Sequence, residues 1–191
     1  MKKTINILSF IVSVNILTTQ SVFAFPQFEK FVAEHSGKPV NCAMCHANDA
    51  GPIGNDPGQL GSLTKAEMEK VNLARLALKP GQKVDSPILN KFGNHIIESI
   101  GTEKFTQLLA KPEDLAKELG NQSDLDKDGI PDAQEYLDGT DPLNKLNGDP
   151  SKLFVINVQR NAWLLIYIAV SLYFIYFGLT NILKYYKLNK G

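Results

Sequence analysis

An uncharged and mostly apolar stretch of 22 residues, at positions 162–183, limits the possible folds of the chain more than any other feature. As an α-helix it would be roughly 33 Å long, which is enough to cross the hydrocarbon core of a bilayer. Trp163 lies at one end and Tyr185 at the other, where amphipathic rings prefer the membrane–water interface. Aromatic residues occur on all its faces, which argues against a buried core helix. The sequence therefore predicts one transmembrane helix over residues 161–183.

The charged residues are distributed unevenly along the chain. All twenty acidic residues lie within positions 25–160, together with fifteen of the twenty Lys and Arg residues. The remaining five lysines lie at the two ends, at positions 2, 3, 184, 187 and 190. Lysines directly after the apolar stretch predict that the tail, residues 184–191, is cytoplasmic. The acidic region before the stretch then faces the other side, and no basic patch for nucleic acid occurs in it.

The first 24 residues have the pattern of a secretory signal peptide. Lys2 and Lys3 precede a mostly apolar run at positions 5–17, and the triplet Val-Phe-Ala at 22–24 fits a signal-peptidase site. We expect cleavage before Phe25; the alternative is an uncleaved N-terminal anchor. Both alternatives place the following region outside the cytoplasm. The predicted location is the bacterial inner membrane, with a single span and the main domain in the periplasm.

Both cysteines of the chain lie in the stretch VNCAMCHAND, at positions 42 and 45, with His46 directly behind them. Outside the cytoplasm two such cysteines could form a disulfide or a thiol-redox pair. However, C-x-x-C-H is the attachment signature of c-type haem, and the βαβ pattern expected around a redox pair is missing. Two thiols at this spacing can add to the two haem vinyl groups, and the adjacent imidazole can bind the iron. The sequence therefore predicts one haem c held by Cys42, Cys45 and His46.

The residues around this motif predict a small, mainly α-helical domain over positions 25–120. Phe28, Phe31 and Val32 have helical spacing, and Gly37 can end their helix. Further helices are expected from the capping box at residues 64–67 to the Pro-Gly at 80–81, and from Ser86-Pro87 to Gly101; shorter ones follow up to Gly120. We divide the remaining chain into a calcium-loop module (121–145), a stalk (146–160) and the transmembrane helix with its tail.

In its order of motifs the chain resembles the monohaem c-type cytochromes of bacterial envelopes. A phenylalanine-containing helix precedes CAMCH, and the segment PILNKFG follows at residues 87–93, as the helix and LNxFG segment do in that family. The resemblance covers roughly residues 26–100 and implies a haem protein that transfers single electrons. The commoner soluble members carry an axial methionine late in the domain. This chain has no methionine after Met68.

The second axial ligand of the haem iron therefore stays open between several residues. His95 is placed on or beside the apolar face of its predicted helix, and Met68 is placed on the inward stripe of the preceding one. His35 ends the first helix near the attachment motif. Each also has a purely structural interpretation, since such histidines and methionines are common in protein cores. We expect His95 first and Met68 second.

A second motif lies at residues 124–135, DLDKDGIPDAQE, which matches the calcium-loop pattern D-x-D-x-D-G-x5-E. Alternate carboxylates can point to one centre, and Gly129 permits the sharp turn. The run that follows, YLDGTDP, resembles the thrombospondin type 3 repeats of bacterial surface proteins. The alternative is a solvated acidic turn without an ion. The predicted ligands of a single Ca²⁺ are Asp124, Asp126, Asp128, the carbonyl of Ile130, Asp132 and Glu135.

Three classes of function remain compatible with these motifs. The first is a membrane-tethered cytochrome that passes electrons between, or within, respiratory membrane complexes, with an electropositive redox partner. The second is a five-coordinate haem protein that senses a gas or acts on peroxide. The third is a structural subunit that haem and calcium merely stabilise. No hydrolytic nucleophile set is apparent, so the sequence favours an electron carrier over an enzyme.

Overall fold

The computed structural model describes residues 26–189, and within this range it is mainly helical, as predicted, with no β-strand. The expected signal peptide, residues 1–24, lies outside the described residues. The α-helices are α1 (Pro26–Ser36), α2 (Lys65–Arg75), α3 (Lys91–Gln107), α4 (Asp114–Leu119), α5 (Asp132–Asp138), α6 (Pro150–Arg160) and α7 (Ala162–Leu188).

Helix α1 forms where the apolar spacing predicts it. Its first residue is Pro26, whose missing N–H is not needed in the first turn. Phe28 and Val32, one turn apart, are buried. Gly37 follows with a φ of +67°, and its N–H donates to the carbonyl of Ala33 at 3.0 Å. The left-handed glycine ends the helix as the sequence predicts.

Helix α2 begins at the predicted capping box and ends earlier than predicted. The Thr64 hydroxyl accepts from the Glu67 N–H, and the Glu67 carboxylate accepts from the Thr64 N–H. The helix ends at Arg75, so its predicted extension to the Pro-Gly at 80–81 is wrong. The carbonyl of Ala77 instead accepts from the N–H of Thr102 at 2.8 Å. Contact with α3 thus replaces the last predicted turn.

The predicted start of α3 at Ser86-Pro87 is also wrong, because the helix begins at Lys91. Asn90 caps it, and the Asn90 side chain accepts from the Gly93 N–H at 2.8 Å. The predicted stop at Gly101 is a break in the helix, with φ +76°. A Cβ at this position would lie 2.3 Å from the Leu78 carbonyl oxygen, so the close approach of the two segments requires glycine.

One hydrophobic core joins the predicted haem domain to the acidic loop. Helix α5 packs on α1 and α4, and α3 packs on α4. Tyr136 of α5 belongs to the same buried cluster as Phe28 and Phe92. The ring of Tyr136 stacks on Phe31 with a centroid distance of 6.0 Å. The helix that follows the loop is therefore part of the main core.

Most of the segment predicted as a stalk is helical. Asp149 caps α6, and its side chain accepts from the N–H groups of Ser151 and Lys152. Lys152 also forms a salt bridge with Asp138 of α5. Asn161 separates α6 from α7, which is 27 residues long and apolar enough to span a membrane. This helix extends to Leu188, five residues beyond the predicted end of the span.

Candidate haem cavity and acidic loop

A cavity of about 870 Å³ lies in the described part of the chain, and Cys42, Cys45 and His46 are in its wall. Helices α1, α2, α3, α4 and α5 all contribute to its lining. The apolar lining residues include Phe28, Val32, Val40, Pro52, Ile53, Leu60, Val71, Ala74, Leu78, Ile88, Leu89, Ile96, Ile97, Phe105 and Leu115. The volume and the apolar lining are typical of a site for a cofactor-sized ligand.

The two cysteines are held by a short 3₁₀ turn over Cys42–Met44. The carbonyl of Cys42 accepts from the N–H groups of Cys45 and His46, at 3.1 and 2.8 Å. Asn41 caps the turn by accepting from the Ala43 N–H. Both thiols are free. Burial raises the pKa of Cys45 to about 12 and also raises that of Cys42, so both are neutral at physiological pH.

The imidazole of His46 is fixed by a backbone carbonyl from a distant part of the chain. Its Nδ1 lies 3.1 Å from the Ile88 oxygen, which also accepts from the Ala47 N–H. A carbonyl can only accept, so Nδ1 carries the proton and Nε2 keeps its lone pair. Burial lowers the pKa of His46, which favours the neutral ring. This is the protonation state that a metal-ligating histidine requires.

The LNKFG segment, residues 89–93, braces the cysteine–histidine turn. The Asn90 side-chain amide donates to the carbonyls of Ala43 at 2.6 Å and Met44 at 3.1 Å. Its backbone N–H donates to the Cys45 carbonyl at 3.1 Å. A Cβ on Gly93 would lie only 2.0 Å from that carbonyl oxygen. The sequence places this segment in a predicted helix and in the resemblance, but it does not predict Asn90 or Gly93 as site residues.

Neither preferred candidate for the second axial ligand is in the cavity wall. His95 is half-buried on α3, and its Nε2 lies 3.3 Å from the Ser99 hydroxyl. Met68 is half-buried on α2, whose buried residues are Val71 and Ala74. Within residues 26–189, His46 and Met44 are the only histidine and methionine in the lining. His35 stacks on Phe31 and does not line the cavity either.

The residues present fit a covalently held haem. The cavity is largely apolar, two neutral thiols stand in its wall at the attachment spacing, and the histidine beside them has its Nδ1 proton committed to a carbonyl. An apolar wall would exclude water from such a group, and the free Nε2 could bind its iron. The fit thus depends on the arrangement of these side chains as well as on the motif.

The acidic loop, residues 124–135, folds around its own carboxylates. Asp124, Asp126 and Asp128 each place a ligand oxygen within 4.8 Å of the others. The Asp124 carboxylate accepts from the N–H groups of Lys127 and Gly129, at 2.7 and 3.0 Å. Gly129 has a φ of +101°, as the predicted sharp turn requires. These bonds fold the backbone of the loop around Asp124, and the three carboxylates lie close together.

Three buried carboxylate oxygens in this loop have no hydrogen-bond partner: Asp126 Oδ2, Asp128 Oδ2 and Glu135 Oε2. Glu135 is completely buried, with 0 % of its surface exposed. Burial, followed by the neighbouring aspartates, raises the pKa of Glu135 to about 9, and burial raises that of Asp126 to about 6. Buried oxygens without donors are costly, and a cation would satisfy them. The loop therefore fits a hard divalent ion.

The other two predicted ligands are placed differently. Asp132 Oδ1 accepts from the Leu125 N–H at 2.9 Å, and its other oxygen accepts from the Ser123 hydroxyl. Asp132 therefore stabilises the loop and the start of α5, and its role as a direct ligand stays a prediction. Ile130 is buried, and its N–H donates to Asp128. The role of the Ile130 carbonyl as a ligand also stays a prediction.

Comparisons with protein-family models, with curated proteins and with solved structures found no match to this chain. The resemblance to envelope cytochromes thus rests on the quoted motifs. The features of the molecule that bear on function are the cavity, the acidic loop and the long apolar helix.

Proposed function

We propose that this protein is a membrane-tethered c-type haem protein that transfers single electrons at a bacterial inner membrane. The observation that carries the proposal is the apolar cavity with both thiols and the carbonyl-bonded His46 in its wall. A match to the motif alone would not require these three side chains to line a cavity large enough for a cofactor. The resemblance to monohaem c-type cytochromes supports the same function.

The haem would supply the one-electron chemistry of its iron, and the chain's own residues would hold and tune it. Cys42 and Cys45 would attach it through thioether bonds. His46 Nε2 would ligate the iron, with the ring oriented by the Ile88 carbonyl. The apolar wall would exclude water, which lowers the local dielectric constant and affects the reduction potential.

The location and the charges suggest the kind of partner. The helix α7 would keep the haem domain at the membrane and thereby raise its effective concentration near redox complexes. Residues 25–160 carry twenty acidic against fifteen basic side chains, which favours a partner with a positive docking face. The acidic loop would hold one Ca²⁺ as a structural ion.

The first test is optical spectroscopy of the haem-loaded full-length protein in detergent, oxidised and reduced, with and without carbon monoxide. Electron transfer predicts a low-spin haem that does not bind carbon monoxide, and either His95→Ala or Met68→Leu then converts it to high spin. Absence of covalently bound haem after expression with a haem-attachment system would refute the proposal. Cys42→Ala with Cys45→Ala is the control that abolishes attachment.

A second candidate function is a five-coordinate haem that binds a small gas or peroxide. It is favoured by one observation: neither His95 nor Met68 is in the cavity wall of the described chain. In this case the spectrum is high-spin, carbon monoxide binds readily, and replacement of His95 or Met68 leaves the spectrum unchanged. The same set of spectra therefore separates the two functions.

A further inference from the structure

The acidic loop and the haem cavity share helix α5, which has only seven residues. Glu135 and Tyr136 are consecutive in this helix. The Glu135 carboxylate belongs to the cluster of buried acidic groups, while Tyr136 is in the wall of the cavity. One short helix thus carries a group of each site on neighbouring residues.

Tyr136 is held tightly on the cavity side. Only 1 % of its surface is exposed, and its hydroxyl donates to the Pro112 carbonyl at 3.0 Å. Its ring stacks on Phe31 of α1, and α5 also packs on α4, which contributes Leu115 to the same cavity wall. A displacement of α5 would therefore change the wall on more than one side.

The acidic loop holds the start of α5, and the segment that follows the helix closes its end. At the start, Asp132 accepts from Leu125 and Ser123. At the end, the Thr140 N–H donates to the Glu135 carbonyl at 3.0 Å. A helix of this length is not stable alone, so its position depends on its packing against α1 and α4 and on the acidic loop at its start. Without a cation the loop confines several carboxylates, three of whose oxygens are buried and unpartnered.

We propose that Ca²⁺ binding in the acidic loop closes the haem cavity through α5, with Tyr136 as the positioning residue. The inference rests on the proposed haem and calcium sites and adds a thermodynamic coupling between them. Calcium binds better to the protein when α5 closes the cavity, so calcium lowers the affinity of the haem for ligands from outside. By linkage, a ligand that enters the open cavity must weaken calcium binding by the same factor.

The experiment uses the haem-loaded full-length protein in detergent, with external imidazole as the probe. Imidazole binding is followed at the Soret band in calcium and in excess EGTA, and calcium binding is measured separately by calorimetry. We expect the imidazole dissociation constant to be larger with calcium by about fivefold or more, a typical coupling. Glu135→Gln, which removes a loop carboxylate, should abolish the calcium effect.

Variants of Tyr136 distinguish transmission from a general loss of structure. Tyr136→Leu should keep calcium binding and lose most of the calcium effect on imidazole. Tyr136→Phe keeps the ring but not the bond to Pro112, so it should retain part of the calcium effect. It also tests the role of Tyr136 if the leucine variant does not fold. Tyr167→Leu, in α7 and outside the cavity lining, is the matched control and should behave like the wild type.

The possible results distinguish failure of the coupling from failure of the proposed calcium site or of the proposed haem site. If calcium binds in calorimetry but leaves imidazole affinity unchanged, the coupling is refuted while both sites stand. If haem is attached but no calcium binds, the coupling fails at the calcium site alone. If no haem is attached, the proposed function itself is wrong, and the coupling falls with it.

Discussion

At the scale of single residues, the cysteine–histidine turn is built by contacts to a segment more than forty positions away. Asn90 makes two side-chain bonds to carbonyls of the turn and also caps α3. Ile88 supplies the carbonyl that fixes the His46 ring. The residues proposed to attach the haem therefore depend on groups that have no role in haem chemistry themselves.

Replacing Asn90 by alanine should weaken both the helix and the turn. The variant loses an N-cap and two bonds to backbone carbonyls, so we expect the free energy of unfolding to fall by about 2 kcal/mol. The yield of covalently bound haem should fall with it. Chemical denaturation and haem staining test this. Asn121→Ala, at an exposed position, is the control and should change neither.

Replacing Gly93 by alanine should have a larger effect than its single methyl group suggests. The new Cβ would meet the Cys45 carbonyl at 2.0 Å, so the backbone that carries the second thiol must move. We expect a loss of about 3 kcal/mol in unfolding free energy, by the overpacking cost of a rigid contact. Gly178→Ala, whose Cβ would meet open space, should be neutral, and an equally neutral Gly93→Ala would contradict the close approach.

At the scale of elements, the acidic loop is enclosed by α5 on one side and α6 on the other. Arg160 of α6 donates to the Asp128 carbonyl at 2.9 Å, and Lys152 pairs with Asp138. A Cβ on Gly129 would meet the Ile156 side chain at 2.9 Å. Helix α6, which precedes the long apolar helix, therefore packs directly on the proposed calcium site.

The raised carboxyl pKa values predict a specific pH dependence of stability. Burial raises the pKa of Glu135 from an ordinary 4.5 to about 9 in the folded protein without calcium. Between these two pH values the folded state therefore binds more protons than the unfolded state. Stability without calcium should therefore fall as pH rises through that window. Denaturation in EGTA at about pH 5 and about pH 8 measures it.

Calcium should remove most of this pH dependence, because an ion stabilises the ionised carboxylates that burial disfavours. Calcium affinity should accordingly increase with pH as Glu135 and Asp126 lose their protons. In the Glu135→Gln variant without calcium, the free energy of unfolding should change less with pH than in the wild type. A calcium-free protein that grows more stable from about pH 5 to about pH 8 would contradict this assignment.

At the scale of the whole molecule, one packed core carries both proposed sites, and one long exposed apolar helix follows it. The large hydrophobic residues of α7 are exposed throughout its length, including Trp163, Phe174 and Tyr185. The described protein offers no surface that covers them. A lipid environment would remove this area from water.

Ending the chain after Arg160 should release the remaining domain from the membrane. The shortened protein keeps the cavity and the acidic loop, since α7 contributes to neither. We expect the full-length protein in the pellet after alkaline carbonate extraction and the shortened one in the supernatant. Haem content and calcium affinity of the two should agree. Full-length protein in the supernatant would argue against a membrane span.

The sequence by itself determined the features that depend on near neighbours in the chain. Examples are the glycine that ends α1, the capping box of α2, the turn of the acidic loop and the long apolar helix. Each follows from local backbone preference or from spacing along one helix, so a short stretch contains all the information. The early end of α2 and the late start of α3 were missed, because contacts between distant segments replaced the expected turns there.

Only the tertiary structure decided which residues meet at the cavity. The Ile88–His46 bond spans 42 positions. The helix after the acidic loop joined the main core, and His95 and Met68 fell outside the cavity wall. Helical periodicity assigns a side chain to a face, but the packing of several helices decides what that face contacts. For this reason the C-x-x-C-H motif could be found in the sequence, whereas the residues that surround it in the fold could not.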